Sequence, residues 1–198
     1  LGAGTGSAVY SLALSGTDVY AGGAFTTAGG ASASYIAKWN GSAWSALGSG
    51  MNSHVYALVT RGSDLFAAGT FGTAGGVSAT VAKWNGTAWS AVGQAFFSNQ
   101  VNALAVVGTE MFAGGILTPY IWHYDTSLSF WVQVGSGTNN FVRALAGSSS
   151  HLYVGGDFST AGGKVAAYLA RVKTQDVPDI VVEGPDMANI TDGGSKSF

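Results

Sequence analysis

The chain writes one phrase twice: IAKWNGSAWSALG fills residues 36–48 and VAKWNGTAWSAVG fills residues 81–93. Self-similarity constrains the fold more than any other feature, because a repeated unit has to meet its neighbours in the same way each time. Four copies are present. VYSLAL (9–14), VYALVT (55–60), VNALAV (101–106) and VRALAG (142–147) open them. From Val9 to Val55, Val101 and Val142 the steps are 46, 46 and 41 residues. A turn follows (GTD, GSD, GTE or SSH), then DVYAGGAF (18–25), DLFAAGTF (64–71), EMFAGGIL (110–117) and HLYVGGDF (151–158). A glycine loop comes next, TTAGG (26–30), GTAGG (72–76) or STAGG (159–163), and the third copy omits it. A third phrase reads YIAKWNG, TVAKWNG, YIWHYD or AYLARV. AWSALG (43–48), AWSAVG (88–93) and FWVQVG (130–135) close three copies, and the fourth lacks this phrase.

Each phrase is short, rich in Val, Tyr, Phe, Trp and Ala, and bounded by turn residues. That is the strand pattern and not the helix pattern. Asn40-Gly41 and Asn85-Gly86 supply the positive φ of a tight hairpin. Four short antiparallel strands per copy make one blade of a β-propeller. A blade cannot bury both faces alone, so neighbours must stack. Trp39, Trp84 and Tyr124 at one position, and Trp44, Trp89 and Trp131 at another, then fill the same gap in every copy. The expected fold is all-β: a β-propeller of four-stranded antiparallel blades, three full and one split or partial, with an extended C-terminal tail. Residues 1–6 read as the last strand of a preceding or circularly closing blade. Blades follow at 7–50, 51–96, 97–137 and 138–173, the last without its fourth strand. Residues 174–198 read as a linker and the first strand or strands of a truncated Ig-like domain.

These residues carry a resemblance. An apolar strand ending in Gly-Gly, then a Tyr-Asp pair, then a Trp, resembles the kelch motif; MFAGG (111–115), Tyr124-Asp125 and Trp131 give it in the third copy. The AGGAF and VGGDF copies resemble the divergent kelch-like repeats of large exported bacterial proteins and of fungal cortical polarity markers. The resemblance covers residues 1 to about 173 and is specific for fold, not function. Copper-oxidase relatives use Cys, Tyr and His ligands, and this chain has no cysteine, so that activity is not carried over. PDIVVEGPDMANITDGGSKSF (178–198) resembles the opening of the Ig-like domains called choice-of-anchor D or ASH-type. Those domains imply an exported, surface-attached bacterial parent with further blades and Ig-like domains. Leu1 opens the chain without Met or a signal peptide, which reads as a processed or excised piece. Two arrangements stay open: residues 1–4 close a four-bladed ring on the last blade, or the blades belong to a larger propeller.

Composition removes several classes of function. Net charge is −2, and the eight Lys and Arg form no cluster, so nothing attracts nucleic acid or an acidic membrane. No eighteen-residue apolar run is present to span a bilayer. Without cysteine there is no disulfide, thiolate metal site or cysteine nucleophile. His54, His123 and His151 fall at three different repeat positions without metal-ligand spacing. Asp18, Asp64 and Glu110 share a position, but each sits in a hairpin turn, where an acid caps its own backbone. Lys38, Lys83, His123 and Arg171 share another, read as outward-facing cations lying over an aromatic neighbour. The TAGG loops lack the helix a phosphate loop needs and read as flexible connectors. No cofactor, metal or catalytic residue is expected.

The scaffold repeats, but the loops from the fourth strand of one blade to the first of the next do not: SGMNSH (49–54), QAFFSNQ (94–100) and SGTNNF (136–141). They share one face with the glycine loops. Candidate ligand contacts on that face are Asn52, His54, Phe96, Phe97, Asn99, Asn139, Asn140 and Phe141. Apolar residues among amides suit a glycan or a protein partner; alternatively, Phe96 and Phe97 plug the channel or lie on the next blade. The expected function is a non-enzymatic interaction module of a secreted or cell-surface bacterial protein, binding a protein or polysaccharide. A structural spacer in a surface stalk and a polysaccharide-active enzyme are the alternatives. The enzyme would need acids such as Glu110 and Asp157 to converge.

Overall fold

The computed structural model describes residues 1–93, 100–116 and 118–174, and the backbone of 182–183. The described residues contain no helix. Four antiparallel four-stranded sheets follow one another along the chain. Sheet one is Val9–Ser15, Asp18–Gly23, Ile36–Trp39 and Trp44–Ala46, paired in that order. Sheet two is Val55–Arg61, Asp64–Gly69, Val81–Trp84 and Trp89–Ala91. Sheet three is Val101–Val107, Glu110–Gly115, Ile121–Asp125 and Phe130–Gln133. Sheet four is Val142–Gly147, His151–Gly156 and Leu169–Lys173, completed by Val182–Glu183. The sequence leaves that last position empty; in the structure Val182 pairs with Val172, and Glu183 with Arg171.

Both faces of a sheet this rich in small and apolar residues need cover, and the neighbouring sheets supply it. The first strands of sheets one to four lie next to each other in chain order. Between sheets one and two, Tyr20 and Ile36 meet Val55, Leu58 and Leu65. Between two and three, Phe66, Ala68 and Val81 meet Val101 and Leu104. Between three and four, Phe112 and Ile121 meet Val142, Leu152 and Val154. Each contact seats a valine in a gap. A Cβ added at Gly22 would lie 2.5 Å from Cγ1 of Val55, and one at Gly114 would collide with Val142. In sheets one and three even a methyl does not fit at this position without movement of the valine, whereas sheet two carries Ala68 there.

The glycine loops are ordered, not flexible connectors. In sheets one, two and four they are two-residue β-hairpins, Thr27–Ala28 with Ala31–Ser32, Thr73–Ala74 with Val77–Ser78, and Thr160–Ala161 with Lys164–Val165. Gly29 and Gly30 turn the first at φ of 61° and 83°, values that favour glycine. Each hairpin receives the chain that precedes its sheet. Thr5, Met51 and Thr138 bridge to Ala28, Ala74 and Ala161. The amides of Gly29, Gly75 and Gly162 donate to the carbonyls of Gly4, Gly50 and Gly137 at 2.7–2.8 Å. Trp44 and Trp89 complete the first two joints, and Trp131 makes the same contact in sheet three, which has no glycine hairpin: the indole N–H donates to the carbonyls of Leu1, Leu47 and Val92 at 2.9 Å. The repeated tryptophans thus clip incoming chain to sheet, as well as filling a gap. Residues 1–6 follow the same rule. They lie on sheet one as residues 47–52 lie on sheet two, and the fourth position of sheet four is taken by Val182–Glu183.

The turn after the third strand is also repeated. The Asn40 side-chain oxygen accepts from the amides of Ser42 and Ala43, and that of Asn85 from Thr87 and Ala88. Asp125 does the same with Ser127 and Leu128. The Ser127 hydroxyl foremost, then the Leu128 amide, holds the Asp125 carboxyl below the usual carboxylate range. With a depressed folded value, its stabilisation is present above the unfolded value and lost as pH falls through the folded one. Asp125→Asn keeps the turn, as Asn40 and Asn85 do, and removes this loss. We expect its unfolding midpoint to fall less than wild type's below about pH 4 in a denaturant titration series. Trp131 is fully buried. Trp131→Ala should cost about 3–5 kcal/mol in the same assay at neutral pH.

Candidate ligand-binding face

Pairing within each sheet skips one residue at the start of the first strand. Val9 pairs with Gly23 and Ser11 with Gly22, which leaves Tyr10 as the extra residue of a β-bulge. Tyr56, Asn102 and Arg143 are the corresponding extra residues of the other sheets. A bulged residue leaves the in-out alternation, so neither buried face dictates its identity. The bulges stand where the loops entering each first strand end, on the face that also carries the glycine hairpins.

These residues and their neighbours form a row across the sheets. The Tyr10 and Tyr56 rings stack at 5.1 Å with 21° between planes. His54 stands edge-on to Tyr56 at 6.0 Å and lies 5.6 Å from Tyr35. In the middle, Gln100 donates to the Asn102 side chain at 2.6 Å, and Asn102 donates to the Val142 carbonyl at 2.7 Å. At the far end Tyr120 meets Phe141 at 5.8 Å, and the Arg143 guanidinium lies 5.4 Å over Phe141. Arg143 Nε donates to Asp157 at 2.9 Å, and this hydrogen bond raises the guanidinium pKa above its ordinary value. The face thus grades from aromatic through amide to a charged pair.

Tyr35 and Tyr120 are held at φ of 65° and 70°, a left-handed conformation costly for a bulky residue. The backbone enforces it. Tyr35 N donates to Phe25 O, and Tyr35 O accepts from Gly23 N. The rings are thereby fixed toward the residue entering the next sheet, His54 for Tyr35 and Phe141 for Tyr120.

Of the residues expected on this face, His54 and Phe141 join the row. Asn52 and Asn139 hold the scaffold: their side-chain oxygens accept from the amides of Gly72 and Thr73, and of Ser159 and Thr160. Asn140 accepts from the Phe141 amide. Phe96, Phe97 and Asn99 lie outside the described residues. Tyr10, Tyr35, Tyr56, Asn102, Tyr120 and Arg143 were missed. For Tyr10, Tyr56, Asn102 and Arg143 the available signal was the second letter of the opening phrase, which varies inside an otherwise repeated strand.

The recurrent acids and recurrent cations are one feature. Lys38 pairs with Asp18 at 3.0 Å, Lys83 with Asp64 at 3.4 Å, and His123 with Glu110 at 2.5 Å. The cations do not merely lie over an aromatic side chain. The hydrogen bond to Asp18 holds the Lys38 ammonium pKa above its ordinary value. Among the described residues no three His, Cys, Asp or Glu side chains gather to hold a metal ion.

No family model matches the chain, and no curated protein matches it. Its fold is similar to that of the computationally designed Ika4 protein, with a TM-score of 0.56 and 20% identity, over 78% of this chain and 89% of that one. It is also similar to the computationally designed Ika8 protein, with a TM-score of 0.56 and 18% identity, over 87% of this chain and 57% of that one. These likenesses bear on fold alone: an all-β, β-propeller-like succession of four-stranded antiparallel sheets.

Asn139→Ala removes two backbone caps and the bond from Asn139 Nδ2 to the Ser159 hydroxyl. We expect it to destabilise the chain by about 1–3 kcal/mol in chemical denaturation.

Proposed function

We propose that the chain is a non-enzymatic interaction module, a kelch-like propeller segment of a secreted or cell-surface bacterial protein. It holds a polysaccharide or protein ligand on the face that carries Tyr10, Tyr35, His54 and Tyr56. One observation carries this reading: the residues that vary at the bulges collect on one face, while the sheets beneath them repeat. Tyr10 is 48% exposed and stacked on Tyr56, which offers a flat apolar surface with hydroxyls at its edge. Such a surface suits the C–H face of a sugar ring or an apolar side chain of a partner. The amides and the Arg143–Asp157 pair further along the row would supply directional hydrogen bonds. The kelch-like and choice-of-anchor D resemblances support an exported parent with more blades and Ig-like domains. The scattered charge gives no support to a nucleic-acid partner.

An enzyme on this scaffold has less support. Glu110 is engaged by His123 and opens the second strand of its sheet; Asp157 is engaged by Arg143 and follows the end of the second strand of its own. The two acids therefore belong to opposite ends of the strands.

The test is a binding panel of bacterial and host polysaccharides and surface proteins, measured by calorimetry with wild type and with Tyr10→Ala/Tyr56→Ala. We expect a wild-type ligand whose affinity falls about tenfold or more in the double variant, with an unchanged circular dichroism spectrum. A blank panel would favour the spacer; turnover of any polysaccharide would favour the enzyme.

A further inference from the structure

The joint between sheets one and two opens into a cleft of about 240 Å³. Tyr20, Lys38, Ser45 and Leu47 line it from the side of sheet one, and Trp84 and Gly86 from the side of sheet two. Tyr20 pairs with Lys38, and Lys38 with Ser45, across the second, third and fourth strands. Directly paired residues project from one face of a sheet, so the three polar groups stand in a row toward sheet two. The cleft lies near the start of the second strand, at the opposite end from the bulges. Tyr20 is 8% exposed. Among the described residues nothing hydrogen-bonds its hydroxyl, yet the hydroxyl is not sealed in and opens on the cleft. A tyrosine hydroxyl carried to this depth calls for a partner. Sheets two and three avoid the demand with Phe66 and Phe112 at the same position. The next joint is also strapped shut. There the Arg61 guanidinium lies 5.1 Å over the Phe66 ring and donates to the Thr109 carbonyl of sheet three at 2.8 Å. Sheet one carries Ser15 at the position of Arg61, too short to cross in this way.

We propose that this cleft binds one neutral sugar ring, at a site separate from the bulge face. Charge decides against an anion. Lys38 is paired with Asp18 at 3.0 Å, so the cleft offers no net positive charge to neutralise. Hydrogen bonding remains available. The ammonium has three N–H donors and gives one to Asp18. The Ser45 hydroxyl reaches only the Lys38 carbonyl, at a long 3.4 Å, and the Tyr20 hydroxyl is free. Two hydroxyls beside an ammonium present donors and acceptors together, which matches adjacent hydroxyls of a pyranose. The apolar wall fits the other side of such a ring. Trp84 is held against Trp89 at 5.3 Å and, with Leu47, faces the cleft as a surface for sugar C–H groups. Size sets the limit: the cleft falls below the about 300–1,000 Å³ of sites for drug-sized ligands, and a single ring is what it holds.

The test is a titration of the isotope-labelled 198-residue chain, followed by NMR of its amide and indole N–H signals. The probes are D-glucose, D-galactose and N-acetyl-D-glucosamine, each added alone, with acetate as the charged comparison. At least one sugar is expected to shift the Trp84 indole signal and the Leu47 and Gly86 amides in a saturable way, and acetate is not. Two variants borrow residues the chain already uses at the same repeat positions. Tyr20→Phe removes only the hydroxyl and is expected to weaken binding about three- to tenfold. Ser15→Arg installs the strap of the next joint, aimed at the Ser63 carbonyl, and is expected to abolish binding with an unchanged circular dichroism spectrum. The proposal is overturned if no sugar gives saturable shifts, or if acetate matches the sugars. Shifts confined to the bulge face around His54 and Tyr56 overturn it as well, as does either variant keeping wild-type affinity.

Discussion

Everything in this chain depends on a valine of one sheet entering the gap left by a glycine or alanine of the sheet before it. Val55 enters at Gly22 and Val142 at Gly114, while Val101 and Ala68 belong to the core between sheets two and three. The gap brings two backbones close enough for the flanking side chains, Tyr20, Phe66 and Phe112, to be covered completely or nearly so. Dense contact of this kind is where interior stability comes from. Only 9% of its residues are charged, and the Lys38–Asp18 and Lys83–Asp64 pairs are partly exposed and weak. The apolar joint sets the spacing of the sheets, and that spacing places every residue on the ligand-binding face.

The joint also explains how a chain so repetitive on the inside can differ on one face. In the first strands of sheets two and three a substitution at a regular position lands on a face that a neighbouring sheet covers. The bulge adds one position that lands on no such face. Tyr10, Tyr56, Asn102 and Arg143 therefore differ without disturbing the register, which resumes at Ser11, Ala57, Ala103 and Ala144. The left-handed tyrosines are a second device of this sort. The Tyr35 backbone is held by hydrogen bonds through both its N–H and its C=O, and the Tyr120 carbonyl accepts from Gly115, which aims each ring along the edge of the core.

Strand positions and sheet order were legible because they follow from short-range pattern. The alternation in VYALVT, the Asn-Gly turns and the repeated tryptophans each specify their own neighbourhood. The candidate face was only half legible. Loop composition pointed to the end of the sheets that carries the bulge residues, and His54 and Phe141 lie in the row. Asn52 and Asn139 looked like ligand contacts because an amide in a variable loop has no visible partner in one dimension; the partners are backbone amides twenty residues further on. The ion pairs were hidden for a related reason. Asp18 and Lys38 were read as separate repeats, when antiparallel pairing of the second and third strands sets them against each other. The bulges escaped because a bulge is a mismatch between two strands, and neither strand alone records it.

The clip formed by Leu47, Gly50 and Met51 on the hairpin of the following sheet means that a sheet and a heritable unit are out of phase. The segment that folds against its neighbours as one piece starts at the tail of one sheet and ends before the tail of the next. A tandem duplication cut at the sheet boundary would separate a hairpin and its tryptophan from the carbonyls they bind. Cut a few residues earlier, before Leu47 or Val92, every new copy arrives carrying the fastener for its own outer edge. Repeat number can then drift in such chains by whole units, each insertion leaving the joints on either side intact.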